Sequence, residues 1–365
     1  MKKTLITICM VLLLSGCSQI QETVEQNDSQ VVTSADSLGS TYYPVVQFDA
    51  YTGRNEYYNN YNQSSDWQKV GRDLEYLSTD YFSTNNHYMA EGQLLTQSDS
   101  YSDLLLWASD SNTYTLQPAQ DDIIEGYTSV IMTSSVYELD FYQKNDDSYD
   151  LVGLSFSIIL DPLTKTEEGT YESITGGLTD AYILEYATQA TETLYSYIQN
   201  DATFSEYTSL PILICVYQAN DSSSSWYSGA YILETYSEEN VLGTSNEVSF
   251  QEVVFTSTDA ETIDPELSNS ISLMKTNLKS VSLESVGVVA YGMYYDETLT
   301  SFTIKVTANV KTYVELEYCI GVLASEMNDI ELNIDYTAMV YSQDSLEAMI
   351  VKDVNQDAKT YILGY

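Results

Sequence analysis

The spacing of apolar and polar residues separates a short N-terminal segment from a long body of alternating helices and strands. Residues 5–14 form an almost continuous apolar run, and residues 18–40 are polar, rich in Gln, Ser, Asp, Asn and Thr. A helical spacing further along predicts a helix that begins near Ser65 or Asp66. Its apolar face comprises Trp67, Val70, Leu74, Leu77 and Tyr81. A short strand pair that turns at Glu91-Gly92 is predicted to follow.

Two later segments share the predicted order strand, strand, helix, strand, strand. In the first, strands are predicted at residues 135–142, 151–160, 211–218 and 230–236, and a helix begins at Asp180. The second opens with a helix after Asp264-Pro265, which are suitable N-cap and first helical residues. Strands are then predicted at residues 286–294, 301–308, 330–341 and 346–351, with a helix around residues 316–327. A Gly-, Thr- and Glu-rich insertion at residues 161–179 occurs only in the first segment.

These patterns predict an α+β fold. An N-terminal α+β section is expected at residues 41–120, followed by two tandem repeats at residues 121–243 and 244–365. Each repeat is expected to be an antiparallel sheet with helices packed on one face.

The apolar run near the N-terminus has the order of a secretory signal. Lys2 and Lys3 precede it, and it is shorter than the roughly 20 apolar residues that a membrane-spanning helix needs. It ends in Leu14-Ser15-Gly16-Cys17, which is similar to the bacterial lipobox. We therefore expect a signal peptide at residues 1–16, cleavage by a signal peptidase between Gly16 and Cys17, and diacylglycerol added to Cys17 by a lipid transferase. The alternative is an ordinary secreted protein with a chance cysteine at the cleavage site.

The polar residues 17–40 are predicted to be a tether, because they offer too little apolar surface to offset the entropy of ordering. No later segment is apolar and long enough to span a membrane. The sequence therefore predicts a body held at the outer face of the cell membrane by the lipid on Cys17.

The net charge narrows the choice of partners. The chain has 54 acidic and 13 basic residues, a formal charge of −41, and loss of Lys2 and Lys3 with the signal brings the body near −43. Nucleic acid is not an expected partner, because its binding requires cationic groups. Anionic lipid headgroups should repel such a body, which leaves the lipid as its attachment. The acidity suits cationic peptides, metal ions or a salty medium, and it also suits simple solubility.

Tyrosine is frequent, with 34 residues against 8 Phe and 3 Trp. Tyrosine fits half-buried strands, where its ring packs and its hydroxyl stays hydrated. A tyrosine-lined face that binds a peptide or a glycan is the alternative.

Few residues suggest catalysis or a cofactor. The single histidine, His87, excludes a multi-histidine metal site, and it lies in an Asn/Ser/Thr-rich segment typical of a solvated loop. Ser272 and Lys275 match a Ser-x-x-Lys pair, but they lie in an ordinary amphipathic helix without a Lys-Thr-Gly partner motif. We expect no cofactor, no metal and a non-catalytic body.

Two cysteines, Cys215 and Cys319, remain once Cys9 leaves with the signal and Cys17 is lipidated. Export permits a disulfide between them. Two buried free cysteines are the alternative.

The order of several short motifs resembles the CamS-like sex pheromone precursor lipoproteins of Gram-positive bacteria. The resemblance covers most of the mature chain. Its motifs are Tyr42-Tyr43-Pro44-Val45-Val46-x-Phe48, Phe82-x-Thr84 with Glu91-Gly92-Gln93-x-Leu95, Leu139-x-Phe141-Tyr142 with Gly153-Leu154-Ser155-Phe156, and Pro211-Ile212-x-x-x-Val216-Tyr217-Gln218. The chain departs from the family in its acidity and its tyrosine content, which puts any charge-dependent partner of the family in doubt.

The resemblance implies two tandem structural repeats and a role for the signal peptide itself. In that family a short apolar peptide from the end of the signal acts as a mating pheromone. The corresponding residues here are Met10, Val11, Leu12, Leu13, Leu14, Ser15 and Gly16. The competing interpretation is that every lipoprotein signal leaves such a remnant. The alternative function is a cell-surface binding module for a peptide or a glycan.

Overall fold

The computed structural model describes residues 30–31, 42–47, 67–95, 103–145, 148–220, 229–281 and 285–363. The predicted signal peptide, Cys17 and most of the predicted tether lie outside these residues. Among the described helices, none is both long and apolar enough to cross a membrane.

Helices and strands alternate along the described residues. The helices are α1 (Trp67–Ser78), α2 (Asp180–Asn200), α3 (Thr258–Ile263), α4 (Pro265–Val281) and α5 (Tyr313–Asn328). The strands are β1 (Gln30–Val31), β2 (Val46–Gln47), β3 (Tyr88–Glu91), β4 (Ile123–Ile124), β5 (Tyr127–Thr128), β6 (Ile131–Asn145), β7 (Ser148–Lys165), β8 (Tyr171–Ser173), β9 (Ile212–Gln218), β10 (Ala230–Glu238), β11 (Val241–Leu242), β12 (Asn246–Val254), β13 (Val286–Tyr295), β14 (Thr298–Ala308), β15 (Tyr336–Ser342), β16 (Ser345–Lys352) and β17 (Lys359–Ile362).

One large mixed sheet dominates the fold. Its strands follow the order β3-β6-β7-β9-β10-β12-β13-β14-β15-β16-β17. Two neighbouring pairs, β7–β9 and β14–β15, are parallel, and the other pairs along this order are antiparallel. The prediction of a fold that mixes helices and sheet is confirmed. The prediction of separate, purely antiparallel sheets is wrong. Helices α2 and α5 connect the parallel pairs, and such a crossover is what lets consecutive strands run in the same direction.

Strand β12 joins the two halves of the sheet. It pairs with β10 on one side and with β13 on the other. The sequence pattern predicts no strand here, because Asn246, Glu247, Ser249 and Gln251 interrupt the apolar spacing. The order β6-β7-α2-β9-β10 on one side and β13-β14-α5-β15-β16 on the other is the order of elements that the sequence analysis predicted.

Helices cover both faces of the first half, which corrects the expectation of one covered face. In β9, Ile212, Ile214 and Val216 belong to the core beneath α2, whereas Leu213 and Cys215 belong to the core beneath α1. Successive side chains of a strand point to opposite faces, so α1 and α2 lie on opposite sides of the sheet. The apolar run of β9 reflects this burial on both faces.

In the second half, the described helices cover one face of the sheet. Helices α4 and α5 pack over the core face of β13 to β16, as predicted. The opposite face carries Val289, Met339, Tyr341 and Met349, all half-buried, and the exposed Lys305. The predicted N-cap of α4 is confirmed, because Asp264 Oδ1 accepts a hydrogen bond of 3.0 Å from Leu267 N.

Several predicted boundaries shift. Strand β7 continues into the predicted insertion as far as Lys165, and β8 pairs back on it. The strand predicted at residues 330–341 begins only at Tyr336. Within the predicted tether, Gln30–Val31 pairs with β2.

Candidate functional site

The residues that the sequence analysis marks for lipidation, cleavage and peptide release lie outside the described residues. These are Met10, Val11, Leu12, Leu13, Leu14, Ser15, Gly16 and Cys17. The sites described below therefore belong to the body of the protein.

A cavity of about 520 Å³ lies where the two halves of the sheet meet. We call it the seam cavity and define it by Thr175, Gly176, Gln218, Ala230, Gln251 and Asp259. Val253, which also lines it, belongs to the core beneath α3 and α4, and Gly176 lies just before α2. The cavity is therefore bounded by elements of both halves.

Strand register places two glutamines on either side of a small residue at the floor of the cavity. Gln218 on β9 and Gln251 on β12 both pair with Ala230 on the intervening β10. Neighbouring strands are about 4.8 Å apart, so the two glutamine backbones are separated by roughly 10 Å. The short alanine side chain between them leaves the hollow.

Glycines at the margin allow the backbone to approach closely. A Cβ atom on Gly229 would lie 2.1 Å from the carbonyl oxygen of Gln218, so only glycine fits there. Gly176 has a φ of +80°, a conformation that favours glycine. The size of the cavity thus depends on residues with little or no side chain.

The described lining is polar and acidic. Amide groups come from Gln218, Asn220 and Gln251, and carboxyl groups come from Glu252 and Asp259, while no lysine or arginine is among these described residues. Among the residues that the structure describes, no group of His, Cys, Asp and Glu is arranged to hold a metal ion. The lining offers hydrogen-bond partners and negative charge, which suits binding.

A pair of buried carboxyl groups holds the chain just after β3. The Glu138 carboxylate accepts hydrogen bonds from Leu94 N at 3.2 Å and Leu95 N at 2.7 Å. Asp140 Oδ2 accepts one from Gln93 N at 3.1 Å. The predicted strand pair turning at Glu91-Gly92 is therefore wrong: β3 pairs with β6, and the residues after it bind side chains instead of a second strand.

Burial shifts both carboxyl groups toward their protonated form. Burial raises the pKa of Glu138 and of Asp140, and the charge of Glu138 raises the pKa of Asp140 further. Among the described residues, no group donates a hydrogen bond to the buried Asp140 Oδ1. A proton on Asp140 that is donated to Glu138 would satisfy this oxygen, and the pair would then act as a structural clamp that depends on one proton.

Helix α1 buries an ion pair of its own, between Lys69 and Asp73, against the other face of the sheet. Lys69 Nζ bonds Asp73 Oδ2, and both side chains are almost fully buried. The Lys69 ammonium also lies 5.7 Å from the ring centre of Tyr217 and 5.9 Å from that of Phe250. A smaller cavity of about 170 Å³ adjoins Asp73. Because these charges pair with one another, this region has a structural role.

The residues considered for catalysis are not brought together. His87 Nδ1 lies 2.9 Å from the carbonyl oxygen of Ser83, near the N-terminal edge of β3. Ser272 is exposed on α4 and Lys275 is half-buried on the same helix. None of the three lines the seam cavity.

Cys215 and Cys319 are both buried, and they are not bonded to each other in a disulfide. The interpretation as small buried hydrophobic residues is confirmed, and burial raises the pKa of the Cys215 thiol.

Tyrosine rings pack within the fold, and several tyrosine hydroxyl groups donate hydrogen bonds to backbone carbonyl oxygens. Tyr231 and Tyr336 are buried, and their hydroxyls donate to Val70 O at 2.8 Å and to Met327 O at 2.6 Å. The rings of Tyr81 and Tyr236 stack with centres 4.4 Å apart. No tyrosine is among the described lining residues of the seam cavity. Strand and core packing therefore accounts for these tyrosines.

The seam cavity was not predicted from the sequence. Its residues are brought together by strand register, which the sequence does not reveal.

Comparisons with known proteins connect the chain to one family. A family model described as CamS sex pheromone cAM373 precursor matches residues 48–358. The fold is similar to a crystal structure of a sex pheromone precursor from Lactobacillus salivarius, with a TM-score of 0.80, 18% identity, and coverage of 92% of this chain and 99% of that chain. It is also similar to the C-terminal domain of the sex pheromone staph-cAM373 precursor from Staphylococcus aureus, with a TM-score of 0.64, 17% identity, and coverage of 84% and 99%. No curated protein sequence matches the chain significantly.

Proposed function

The chain belongs to the CamS sex pheromone cAM373 precursor family, and we propose that it is a lipid-anchored surface lipoprotein whose signal peptide remnant is released as a pheromone. One observation carries this proposal: in a chain of this family, the lipobox-like Leu14-Ser15-Gly16-Cys17 directly ends an apolar segment. The same cleavage would free the peptide on one side and expose Cys17 for anchoring on the other.

The chemistry of the remnant supports the proposal. The peptide from Met10 to Gly16 carries no charged side chain and is mostly apolar. Such a peptide can cross or dissolve in a membrane at little cost compared with a charged one. On the other side of the cut, two acyl chains on Cys17 suffice for stable anchoring, whereas a body near −43 gains nothing from anionic headgroups.

The body is proposed to be non-catalytic and built from two repeats. Each repeat is a strand pair, a crossover helix and a second strand pair, with a parallel pair at its centre, β7–β9 in one and β14–β15 in the other. The absence of catalysis is supported by the separation of His87, Ser272 and Lys275 from the seam cavity.

A synthetic peptide tests pheromone activity. The heptapeptide from Met10 to Gly16 is applied to recipient cells that carry a pheromone-responsive plasmid, beside a known pheromone and a scrambled heptapeptide. We expect plasmid transfer to rise with the native order only. Transfer that responds to the known pheromone but not to the heptapeptide would refute pheromone release by this protein.

Anchoring is tested separately with two cysteine variants. Cys17→Ala should move the protein from the membrane fraction to the medium or leave it uncleaved, because the lipid acceptor is gone. Cys9→Ala changes a cysteine inside the signal and should leave the protein in the membrane fraction. Cleaved Cys17→Ala protein that stays in the membrane fraction as fully as Cys9→Ala does would argue against lipidation of Cys17.

A second function is favoured by the seam cavity. Its volume of about 520 Å³ lies within the range of small-molecule sites, and several polar groups converge on it. We propose that the body is a cell-surface binding module.

A further inference from the structure

We propose that the seam cavity binds a short peptide that carries a positive charge. Its peptide groups would pair with Gln218 and Gln251, and its ammonium group would lie beside Asp259. This inference rests on the second proposed function, the binding module, and names its ligand class.

The spacing of the two glutamines matches an extended peptide. Each glutamine amide offers a carbonyl acceptor and two N–H donors, and the N–H and C=O of one residue in an extended peptide point to the same side, so an amide can pair with both. The two positions lie roughly 10 Å apart across β9, β10 and β12. An extended chain rises about 3.4 Å per residue, so residues three apart have the same separation, and they direct their N–H and C=O groups to opposite sides of the chain, one side to each glutamine.

The floor between the glutamines is low enough for a backbone to lie on it. Ala230 is the residue between them, and Ala219 and Gly229 also line the cavity. A larger residue at position 230 would rise between the two amides. The hollow thus fits a chain that crosses the strands, with alternate side chains directed toward the mouth of the cavity.

The charge of the cavity selects for cationic ligands. Glu252 and Asp259 are in the described lining, which includes no lysine or arginine, and the body as a whole is near −43. A ligand with carboxylates or phosphates would be repelled. An ammonium group from a lysine side chain or a free N-terminus would be attracted both by the local carboxylates and by the field of the body.

A glycan fits the described lining less well than a peptide does. Sugar rings are commonly held by aromatic faces as well as by hydrogen bonds. None of the described residues that line the cavity is aromatic.

Titration of the detergent-solubilised, mature lipoprotein tests the inference. The probe is the amidated tetrapeptide Lys-Ala-Ala-Lys, measured by calorimetry in 150 mM salt, with Glu-Ala-Ala-Glu and chitotetraose as comparison ligands. We expect one binding event for the basic peptide and none for the acidic peptide or the glycan.

Variants locate the site. Ala230→Phe should fill the hollow and weaken binding at least tenfold, and Gln251→Ala should weaken it several-fold without filling it. Asp259→Asn should weaken binding and reduce its salt dependence. The controls are Ala202→Phe and Asp344→Asn, which make the same changes at exposed positions outside the lining. Unfolding curves verify that each variant is folded.

The outcomes separate the inference from the function on which it rests. Loss of binding in Ala230→Phe and Gln251→Ala, but not in the controls, supports a peptide site. Equal binding by all variants would assign the peptide to the acidic surface in general and overturn the inference. Binding of chitotetraose that depends on Ala230 would overturn the peptide while keeping the binding module. Binding of none of the three probes would overturn the peptide inference and remove its support for the module.

Discussion

The paired carboxyl groups of Glu138 and Asp140 should make the free energy of unfolding fall as the pH rises. Both pKa values are raised in the folded protein by burial, and that of Asp140 also by the neighbouring charge. In the unfolded chain such groups titrate near pH 4. Above that pH the folded protein therefore holds more protons than the unfolded chain, so stability is fully present below about pH 4 and declines as the pH rises through the folded pKa values.

The substitution Asp140→Asn isolates this effect. The amide keeps an oxygen that accepts from Gln93 N, and its NH₂ group takes the place of the shared proton toward Glu138. Near pH 5 we expect a change within about 1 kcal/mol, the size of one altered hydrogen bond. Each proton held only by the folded state contributes a slope of about 1.4 kcal/mol per pH unit, so loss of the pair should flatten the pH dependence by up to that amount.

Urea unfolding between pH 5 and pH 8 measures the effect, with Asp150→Asn as the matched control. Asp150 is exposed, and Asp150→Asn makes the same chemical substitution in the same hairpin. The control therefore reports how much of the pH dependence of the unfolding free energy comes from general repulsion among the acidic groups of the body. Equal slopes for Asp140→Asn, Asp150→Asn and the wild type would refute the shared-proton clamp.

Three further substitutions test how the fold is held. Gly92→Ala should lower the free energy of unfolding by about 1–3 kcal/mol, because the new Cβ would lie 2.4 Å from Cβ and Cγ of Glu138. Gly287→Ala has open space and should cost less than about 1 kcal/mol. Equal urea midpoints for the two variants would contradict the close contact at Gly92. Lys69→Met should cost about 3–5 kcal/mol, because the buried Asp73 keeps only the longer contact to the exposed Arg72, whose Nε lies 3.4 Å from Asp73 Oδ1. Adding Asp73→Leu should restore most of this stability in thermal or urea unfolding, and the absence of any rescue would mean that packing, not charge, is lost. Thr312→Ala should cost about 1 kcal/mol by removing the capping box of α5, and Thr312→Ser should retain most of that stability.

Local features of the fold could be predicted from the sequence, and long-range ones could not. The helical spacing of Val70, Leu74 and Leu77 located α1 and its buried face, and Asp264-Pro265 located the start of α4. These signals act within a few residues of each other. Strand β12 was missed because its polar residues interrupt the expected pattern.

The errors arose where distant residues determine the backbone. Residues 93–95 resemble the start of a strand, but the carboxyl groups that bind their N–H groups lie more than 40 positions later. The parallel strand pairs were not predicted for the same reason, since a strand has the same apolar pattern whichever direction its neighbour runs. The seam cavity shows this most clearly, because Gln218, Ala230 and Gln251 become neighbours only through register.

The topology also relates the proposed anchor to the proposed binding site. The segment at residues 42–47 meets the sheet beside β3, where Val45 pairs with Met89 and Met89 N donates to Pro44 O at 2.9 Å. The chain from the anchor thus enters at one edge of the sheet, and β17 forms the opposite edge. At about 4.8 Å per strand, eleven strands place these edges roughly 50 Å apart, and β10 lies about 20 Å from the β3 edge.

The distance of β10 from the β3 edge and the negative charge of the body should both keep the seam cavity away from the membrane. A body near −43 that is tethered by one edge should be pushed away from anionic headgroups, with the β3 edge nearest the membrane and β17 farthest from it. The seam cavity would then lie beyond the roughly 8 Å over which membrane charge acts at physiological salt. A cationic peptide in the medium would meet the field of the protein before that of the lipid surface, which is the order that a surface binding module requires.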